Sequence, residues 1–485
     1  MCRSKRWITP LLKQCFAVSS VTFNMISYGM VIGFNASLFS DLRKSREIPL
    51  DKDSESWLAS LIGITTLIGC LFTSLIIDRI GRRPALLISS ILIVIGWITF
   101  SLASSFPALL MAKISQGMSI GLGTTMGGIL IAEYSSPKYR GSFIATIPAA
   151  ILVGILASHS LGLFYNWFQI AIILLFCSLP GLIIAVFTPE SPTFLATKGR
   201  YDECRKVFRW LRGSEDDDEL EKMIEADMIV KEAKKSCRNN VSKLIKQNLM
   251  YFITSFKKRE FYIPVFIVIH LNAIKEFSGA IVHDSYPMDI YTALYGTDIY
   301  MFKVIASLDL QKIFATFLTI YLTSGIRRRP LYLTLVGLNI LSLLCEAGYI
   351  YARRHNLLPF DHIAIVICLQ HFHMFTSGVG ATSLTAIISN ELYPMQNRGL
   401  CGMICSAILS IYMFVNIKSA PYLFSLIGVD GTFCVYAVLL LYSLVVSYYM
   451  VPETKDKTLQ EIEDKLRGYS IARRGETLKL KDAEL

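Results

Sequence analysis

The sequence contains few charged residues for its length. Of its 485 residues only 18% are Asp, Glu, Lys or Arg, while 53% are hydrophobic, and the mean hydropathy is +0.48. Soluble domains are roughly a quarter charged, so this composition argues against an ordinary soluble protein. It is typical of a chain that crosses a membrane several times.

The sequence also lacks the usual signatures of enzymes and of metal or disulfide sites. No G-x-S-x-G, H-E-x-x-H or P-loop pattern is present. The 11 cysteines show no zinc-type spacing and fall mostly inside apolar runs or loops expected in the cytosol. His371 and His373 could contact a metal, but no companion ligand has a recognisable spacing. We therefore expect no catalysis, no cofactor and no metal.

Apolar runs long enough to cross a bilayer recur along the chain, each of about 20 residues. Clear runs lie at 57–77, 85–106, 142–164, 168–188, 331–351 and 432–451. Runs interrupted by polar residues lie at 15–39, 108–132, 263–290, 300–323, 362–389 and 400–427. The sequence predicts an all-α membrane protein with about twelve transmembrane helices, and an even number places both termini on one side.

One long polar stretch, residues 189–262, divides these runs into two sets of about six. Its apolar positions recur at helical spacing, at Tyr201, Cys204, Val207, Phe208 and Leu211. We expect a small cytosolic domain of amphipathic helices there. The predicted organisation is a cytosolic N-terminus (1–14), a six-helix bundle (15–188), the linker (189–262), a second six-helix bundle (263–451) and a cytosolic tail (452–485).

The net charge of +11 reflects membrane topology rather than nucleic-acid binding. Basic residues concentrate in alternate connections, which places those loops and both termini in the cytosol. Examples are Arg79, Arg82, Arg83, Lys138, Arg140, Arg327 to Arg329 and the tail. Arg353 and Arg354 depart from this pattern. The expected partners are therefore the lipid bilayer and a small solute, with no nucleic acid and no obligate protein partner.

Three short motifs occur in both halves, in the same order and about 250 residues apart. They are DRIGRRP (78–84) with SGIRRRP (324–330), Glu133…Arg140 with Glu391…Arg398, and Pro189-Glu190-Ser191 with Pro452-Glu453-Thr454. Parallel repeats of this kind suit a transporter whose halves rock around a midplane site. The repeats therefore favour a carrier.

These motifs predict a charged clasp at the cytosolic ends of the helices, in which each Glu pairs with the Arg seven residues later. Such pairs would hold while the cytosolic gate is closed and break when it opens. The predicted gate residues are Asp78, Arg79, Arg82, Arg83, Glu133, Arg140, Glu190, Arg328, Arg329, Glu391, Arg398 and Glu453. The alternative is that these residues only determine topology.

At these residues the chain resembles the sugar porter family of the major facilitator superfamily. The most specific stretches are DRIGRRP, PESPTFL (189–195) with KGRYDE (198–203), and PETKDKTLQEIE (452–463). Within the family, GMVIGFNAS (29–37) and NWFQIA (166–171) are similar to insect facilitated trehalose transporters. The resemblance implies two six-helix bundles, and passive or proton-coupled movement of sugars.

The positions that bind sugar in the family are altered. The family's Gln-Gln-x-Ser-Gly-x-Asn in the seventh span reads Lys275 to Ile281 here, its fifth-span glutamine aligns with Pro148, and its tenth-span tryptophan aligns with Leu384. The acid that proton-coupled members carry in the first span aligns with Val31, which favours facilitated diffusion. The candidate substrate-binding residues are Lys275, Glu276, Ser278, Gly279, Lys312, Thr382 and Ser383.

Ionisable residues predicted near the middle of the membrane allow two interpretations. We expect Glu276 to pair with Lys312, or Lys275 with Asp309. Such charges either line a solute cavity or join neighbouring helices as structural ion pairs. The histidines at 270, 283, 371 and 373, with Asp284, either relay protons or are packing residues.

The most consistent function is facilitative transport of a hexose, a trehalose-like sugar or a polyol across the plasma membrane by alternating access. A non-transporting sensor, or a carrier of another small solute, is the alternative, because the sugar contacts are replaced. Asn35-Ala36-Ser37 matches a glycosylation sequence but lies at the membrane edge, so we expect it to be unmodified.

Overall fold

In the computed structural model the described residues are 9–45, 48–213, 216–236, 258–296, 301–358, 362–393, 398–457 and 459–467. Within these ranges all regular secondary structure is helical. The chain forms two compact units, Met1–Lys243 and Leu244–Leu485, and each is described by itself.

The first unit begins with six long helices, α1 to α6. Their bounds are Pro10–Ser45, Lys52–Ile80, Arg82–Ser101, Phe106–Tyr134, Pro137–Leu161 and Trp167–Phe187. Local sequence explains several starts: Asp51 accepts a 3.0 Å hydrogen bond from Ser54 N, and Asn166 forms a capping box with Gln169.

Three short helices follow, α7 (Pro192–Thr197), α8 (Tyr201–Arg212) and α9 (Asp217–Ser236). They enclose a separate apolar cluster of Leu195, Ala196, Cys204, Phe208, Leu220 and Ile224. Arg212 Nη2 donates to Ser135 O at 2.8 Å, which fixes this small domain to the turn between α4 and α5. The linker limits of 189–262 stay a prediction, because residues 237–257 lie outside the described ranges.

The second unit contains nine helices, α10 to α18, within the described ranges. Their bounds are Arg259–Phe277, Ala280–Ser285, Pro287–Tyr295, Met301–Gly325, Arg328–Arg354, Ile363–Thr376, Thr385–Leu392, Arg398–Met450 and Leu459–Arg467. A π-helical segment, Ser377–Leu384, joins α15 to α16. The last helix is held by Arg467, whose guanidinium forms an ion pair with Glu260 at the start of α10.

Nine of the described helical stretches are long and apolar enough to cross a membrane. One of them, Leu400–Met450, contains Gly428 at φ 79°, and this non-helical residue divides it into two segments that can each span. Helices α4 and α10 are more polar and are not among the nine, but α4 packs in the helix bundle of the first unit and α10 in that of the second. The protein is therefore an all-α, multi-pass membrane protein with about twelve membrane-spanning helices, as the sequence predicts.

Burial in both units follows the pattern of a membrane bundle. Large apolar side chains such as Phe176, Phe314 and Val438 are exposed on the helix surfaces. Polar side chains such as Asn24 and Gln370 are buried between helices. In hydrocarbon this distribution is favourable, because buried polar groups find partners and exposed apolar groups contact lipid.

Candidate functional site

The first charge cluster lies where α3 begins and consists of Arg82, Arg83, Glu133 and Glu190. Glu190 Oε1 accepts hydrogen bonds from the backbone N–H groups of Arg82 and Arg83, both at 3.1 Å. The first N–H groups of a helix have no acceptor inside it, and a carboxylate there is favourable. Glu190 thus fastens the segment after α6 to the start of α3.

The two arginine side chains connect α3 to its neighbours. Arg82 Nε lies 3.5 Å from Glu133 Oε2 at the end of α4, and its guanidinium packs 5.1 Å from the Phe194 ring. Arg83 Nη2 donates to Val186 O near the end of α6 at 2.5 Å. The cluster therefore joins α3, α4, α6 and α7 at one end of the first unit.

The second charge cluster repeats this arrangement in the other unit with Arg328, Arg329, Glu391 and Glu453. Glu453 accepts from Arg328 N at 3.1 Å and from Arg329 N at 3.2 Å. Arg328 Nη1 donates to Glu391 Oε1, and Arg329 Nη2 donates to Tyr448 O at 2.6 Å. Each contact has a counterpart of the same kind in the first unit.

A lysine contact is repeated as well, which the sequence did not predict. Lys198 Nζ donates to Asp78 O at 2.9 Å, and Lys455 Nζ donates to Gly325 O at 2.7 Å. Both carbonyls lie at the end of the helix that precedes a charge cluster, where cations are favourable. The two lysines stand at different distances from their Pro-Glu motifs, so the motif repeat alone does not indicate this contact.

The predicted pairing of each Glu with the Arg seven residues later is wrong for Glu133, which contacts Arg82 instead of Arg140. The reason is packing: α4 lies along α3 much more extensively than along α5, which carries Arg140. In the second unit Glu391 contacts Arg328. The Arg398 side chain lies outside the described residues. The side chains of Asp78 and Arg79 are exposed at the end of α2.

Electrostatics favour the ionised form of Glu453. Burial alone would raise the pKa of this carboxyl, but backbone hydrogen bonds leave its pKa below the usual value of 4.5. The donors are the N–H groups of Lys455, Arg329, Arg328 and Thr454. The Glu453 carboxylate therefore keeps its negative charge at neutral pH.

In the second unit the first long helix is broken at Ser278 and Gly279. Gly279 has φ 94°, in the left-handed region, and a Cβ there would lie 2.7 Å from ring atoms of His373. Ser278 Oγ accepts from Ser377 Oγ at 2.9 Å, so the break contacts the π-helical segment. Discontinuous helices and π-helical turns often form binding sites in transporters.

The candidate substrate-binding residues lie on both sides of this contact. Lys275 is half-buried and Glu276 is buried on the last turn of α10. Among the described residues Glu276 Oε2 has no hydrogen-bond partner. Thr382 and Ser383 are half-buried in the π-helical segment. Their role in binding stays a prediction.

Lys312 forms a different ion pair from the one expected. Its ammonium lies 2.5 Å from Asp284 Oδ1 and 3.1 Å from Asp309 Oδ1, rather than against Glu276. Asp309 therefore contacts Lys312 on its own helix, rather than Lys275. The sequence did not predict the role of Asp284, because the helix break brings α11 next to α13 only in three dimensions.

Three buried side chains that could hold a metal ion lie in the same unit. They are His283 on α11, Glu346 on α14 and His373 on α15, and their donor atoms all lie within 4.8 Å of one another. His373 Nδ1 lies 2.9 Å from Glu346 Oε2. In the sequence His371 and His373 are the histidine pair that could contact a metal. The structure instead brings His373 together with Glu346 and His283, which are distant from it in sequence.

The first unit has one fully buried lysine, Lys113 on α4, among its described residues. Its Nζ donates to Asn35 Oδ1 on α1 at 2.6 Å. Val31, one turn earlier on α1, is also buried. No pattern in the sequence indicates this pair.

Comparison with known proteins identifies relatives along nearly the whole chain. A plant protein, Sugar transporter ERD6-like 6 of Arabidopsis thaliana, is 27% identical over 92% of this chain and 89% of its own. A Facilitated trehalose transporter Tret1-2 homolog of Drosophila simulans is 24% identical over 94% of this chain and 91% of its own.

The fold matches solved structures of the xylose transporter XylE from E. coli. The inward open conformation has a TM-score of 0.71 at 16% identity and covers 92% of this chain and 98% of that one. At this identity the likeness shows the fold. The model of the family described as "Sugar (and other) transporter" matches residues 16–466. The chain therefore belongs to the Sugar (and other) transporter family.

Proposed function

We propose that the protein moves a sugar or a related polyol across the plasma membrane by facilitated diffusion. The observation that carries this proposal is the repetition of one charge cluster, contact by contact, in both units. Each cluster ties together the helix ends of its own unit. A unit braced in this way can move as one body, as alternating access requires.

The proposed orientation places both charge clusters and both termini in the cytosol. Support comes from the arginines of the clusters, which are concentrated at these helix ends, as the positive-inside rule expects of cytosolic ends. The relatives named as trehalose and sugar transporters support a sugar as the solute.

The proposed solute-binding residues are the polar groups at the helix break and on the π-helical segment. Lys275 and Glu276 stand where the resemblance implies two glutamines, and Ser278 and Gly279 are kept. A glutamine amide can both donate hydrogen bonds to sugar hydroxyls and accept them. Here the Lys275 ammonium would donate such bonds and the Glu276 carboxylate would accept them. The altered pair would therefore keep hydrogen bonding to a polyol while changing its preference among sugars.

The direct test is uptake of labelled glucose and trehalose into proteoliposomes that contain the purified protein. We expect saturable uptake that is unchanged when a pH gradient across the membrane is collapsed. A double variant, Lys275→Gln with Glu276→Gln, should raise KM for the transported sugar with a smaller effect on the maximal rate.

Two results would contradict the proposal. Uptake of neither sugar by folded protein in the vesicles would favour another solute or a sensor role. Uptake that stops when the pH gradient is collapsed would replace facilitated diffusion with proton-coupled transport. A Lys418→Gln variant, which changes a lysine of α17 outside the helix break, is the matched control and should keep the natural KM.

A further inference from the structure

The buried groups His283, Glu346 and His373 form an arrangement that the transport proposal does not use. We propose that they bind one divalent transition-metal ion, for which Zn²⁺ is the best match, inside the second unit. Their donor atoms lie within 4.8 Å of one another, and the side chains come from three different helices. Two imidazoles and one carboxylate are a donor set that zinc uses in proteins.

The protonation of both rings follows from their hydrogen bonds. His373 Nε2 lies 2.9 Å from Ser278 O, and His283 Nδ1 lies 2.9 Å from Gly279 O. A carbonyl oxygen only accepts, so these two nitrogens carry hydrogen. His373 Nδ1 and His283 Nε2 are then the nitrogens left to bind a cation when the rings are neutral. Metal-binding histidines are commonly oriented by such a hydrogen bond to a carbonyl.

The helix break supplies both of these carbonyls. Because α10 ends at Phe277 and α11 begins at Ala280, the carbonyl of Ser278 is available to the His373 ring. Gly279 allows the close approach of that ring, since a Cβ at this position would lie 2.7 Å from it. The backbone at the helix break thus both accepts a hydrogen bond from the His373 ring and leaves room for it.

Charge also favours a cation at this place. Glu346 is fully buried, and its carboxylate contacts the His373 ring. With a neutral imidazole at His373, no positive charge faces the Glu346 carboxylate in this contact. Buried charge is costly unless it is paired or binds a metal, and a divalent cation held by Glu346 would supply the opposite charge.

A shared proton is the competing occupant, and it explains less. A proton between Glu346 Oε2 and His373 Nδ1 would satisfy the 2.9 Å contact. It would not involve His283 Nε2. A divalent ion can contact all three donor atoms.

Two oxygen atoms without a hydrogen-bond partner lie at this site, one on Glu346 and one on the neighbouring Gln370. Glu346 Oε1 and Gln370 Oε1 are buried and have no hydrogen-bond partner among the described residues. The Gln370 amide lies 3.4 Å from His283 Nε2. Exchange of the amide oxygen and nitrogen by rotation would direct Oε1 to the His283 side, where it can serve as the fourth ligand of a tetrahedral ion.

The test measures metal binding by purified full-length protein in detergent, after removal of bound metal with a chelator. Zn²⁺ is titrated in competition with a fluorescent chelator, metal content is measured by mass spectrometry, and Co²⁺ is added as a spectroscopic probe. We expect about one equivalent of Zn²⁺ per chain, tetrahedral Co²⁺ absorption, and a higher thermal midpoint with Zn²⁺.

Variants separate this site from adventitious binding. His283→Gln, His373→Gln and Glu346→Gln should each weaken Zn²⁺ binding by at least about tenfold, since even loss of an outer partner costs about 10–100-fold. His270→Gln, in the same unit but outside the site, should bind as the natural protein does. Where a variant fails to fold, absence of tight Zn²⁺ binding by the natural protein would still overturn the proposal.

The proposal is overturned if the natural protein binds no Zn²⁺ tightly, or if all four variants bind it alike. No metal binding together with a pH-dependent uptake that Glu346→Gln abolishes would assign the site to a proton. Because the readout is binding in detergent, its outcome is independent of which sugar is transported.

Discussion

Lys113 Nζ donates a 2.6 Å hydrogen bond to Asn35 Oδ1 in the interior of the first unit. The amine also lies 5.5 Å from the centre of the Phe100 ring and 6.0 Å from that of Phe34. The lysine is fully buried, so Asn35 and the two aromatic faces are the groups placed to solvate it. This contact connects α1 to α4.

Replacement of Asn35 with Ala should destabilise the protein, because it leaves a buried donor without its acceptor. We expect a loss of about 1–3 kcal/mol, measured as a lower thermal midpoint in detergent. The double variant Asn35→Ala with Lys113→Met should recover most of this loss, since both polar partners are then removed. Equal stability of the single and double variants would contradict the structural role of the pair.

Asn35 should carry no glycan when the protein is made in animal cells. Its side chain is buried and accepts the hydrogen bond from Lys113, so the glycosylation enzyme cannot reach it. Treatment with an endoglycosidase should leave the electrophoretic mobility unchanged, as in an Asn35→Gln control. A mobility shift seen in the natural protein alone would show that the site is modified.

The sequence predicted the helices well because the information is local. A run of about 20 apolar residues decides whether a segment can span the membrane, and such runs mark spans in both halves of the chain. The repeated motifs also identified the residues of the charge clusters. The partners were harder: Glu133 pairs with Arg82, 51 positions away, because α4 packs along α3.

The polar interior could not be predicted for the same reason. The sequence allows Lys312 to pair with Glu276, or Lys275 with Asp309, whereas the structure pairs Lys312 with Asp284 after the chain turns at Gly279. His283, Glu346 and His373 are widely separated in sequence and come together only when three helices pack. Depth in the membrane can be estimated from a sequence, but the direction of each side chain depends on packing.

The pH dependence of stability should report Glu453. Its pKa is lower in the folded protein than the usual 4.5, so its contribution is present above that value and is lost as pH falls through the folded pKa. The thermal midpoint of the natural protein should exceed that of Glu453→Gln near neutral pH, and the two curves should converge in acid. A constant difference at all pH values would exclude the ionised cap as its cause.

Transport should depend on the opposite charges of Arg328 and Glu391, and not on which of the two positions carries which charge. Arg328→Glu and Glu391→Arg should each reduce the maximal uptake rate about tenfold, and the double exchange should recover part of it, since pairs in contact are coupled by about 0.5–3 kcal/mol. Arg79→Glu changes an exposed arginine and should have a smaller effect. Failure of the exchange to recover uptake, with normal expression, would exclude a role for this pair.

Helices α1 and α5 approach each other backbone to backbone at Gly154. A Cβ on Gly154 would lie 2.0 Å from Ile26 O, and one on Gly29 would lie 1.9 Å from Ile151 O. Gly154→Ala should therefore force the helices apart and cost about 1–3 kcal/mol of stability, even though Ala is the better helix former. Gly128→Ala is the matched control, because no atom lies within 4 Å of its Cβ position. A lower thermal midpoint for Gly154→Ala alone would support the close packing, whereas equal midpoints for the two variants would mean that the helices part without cost.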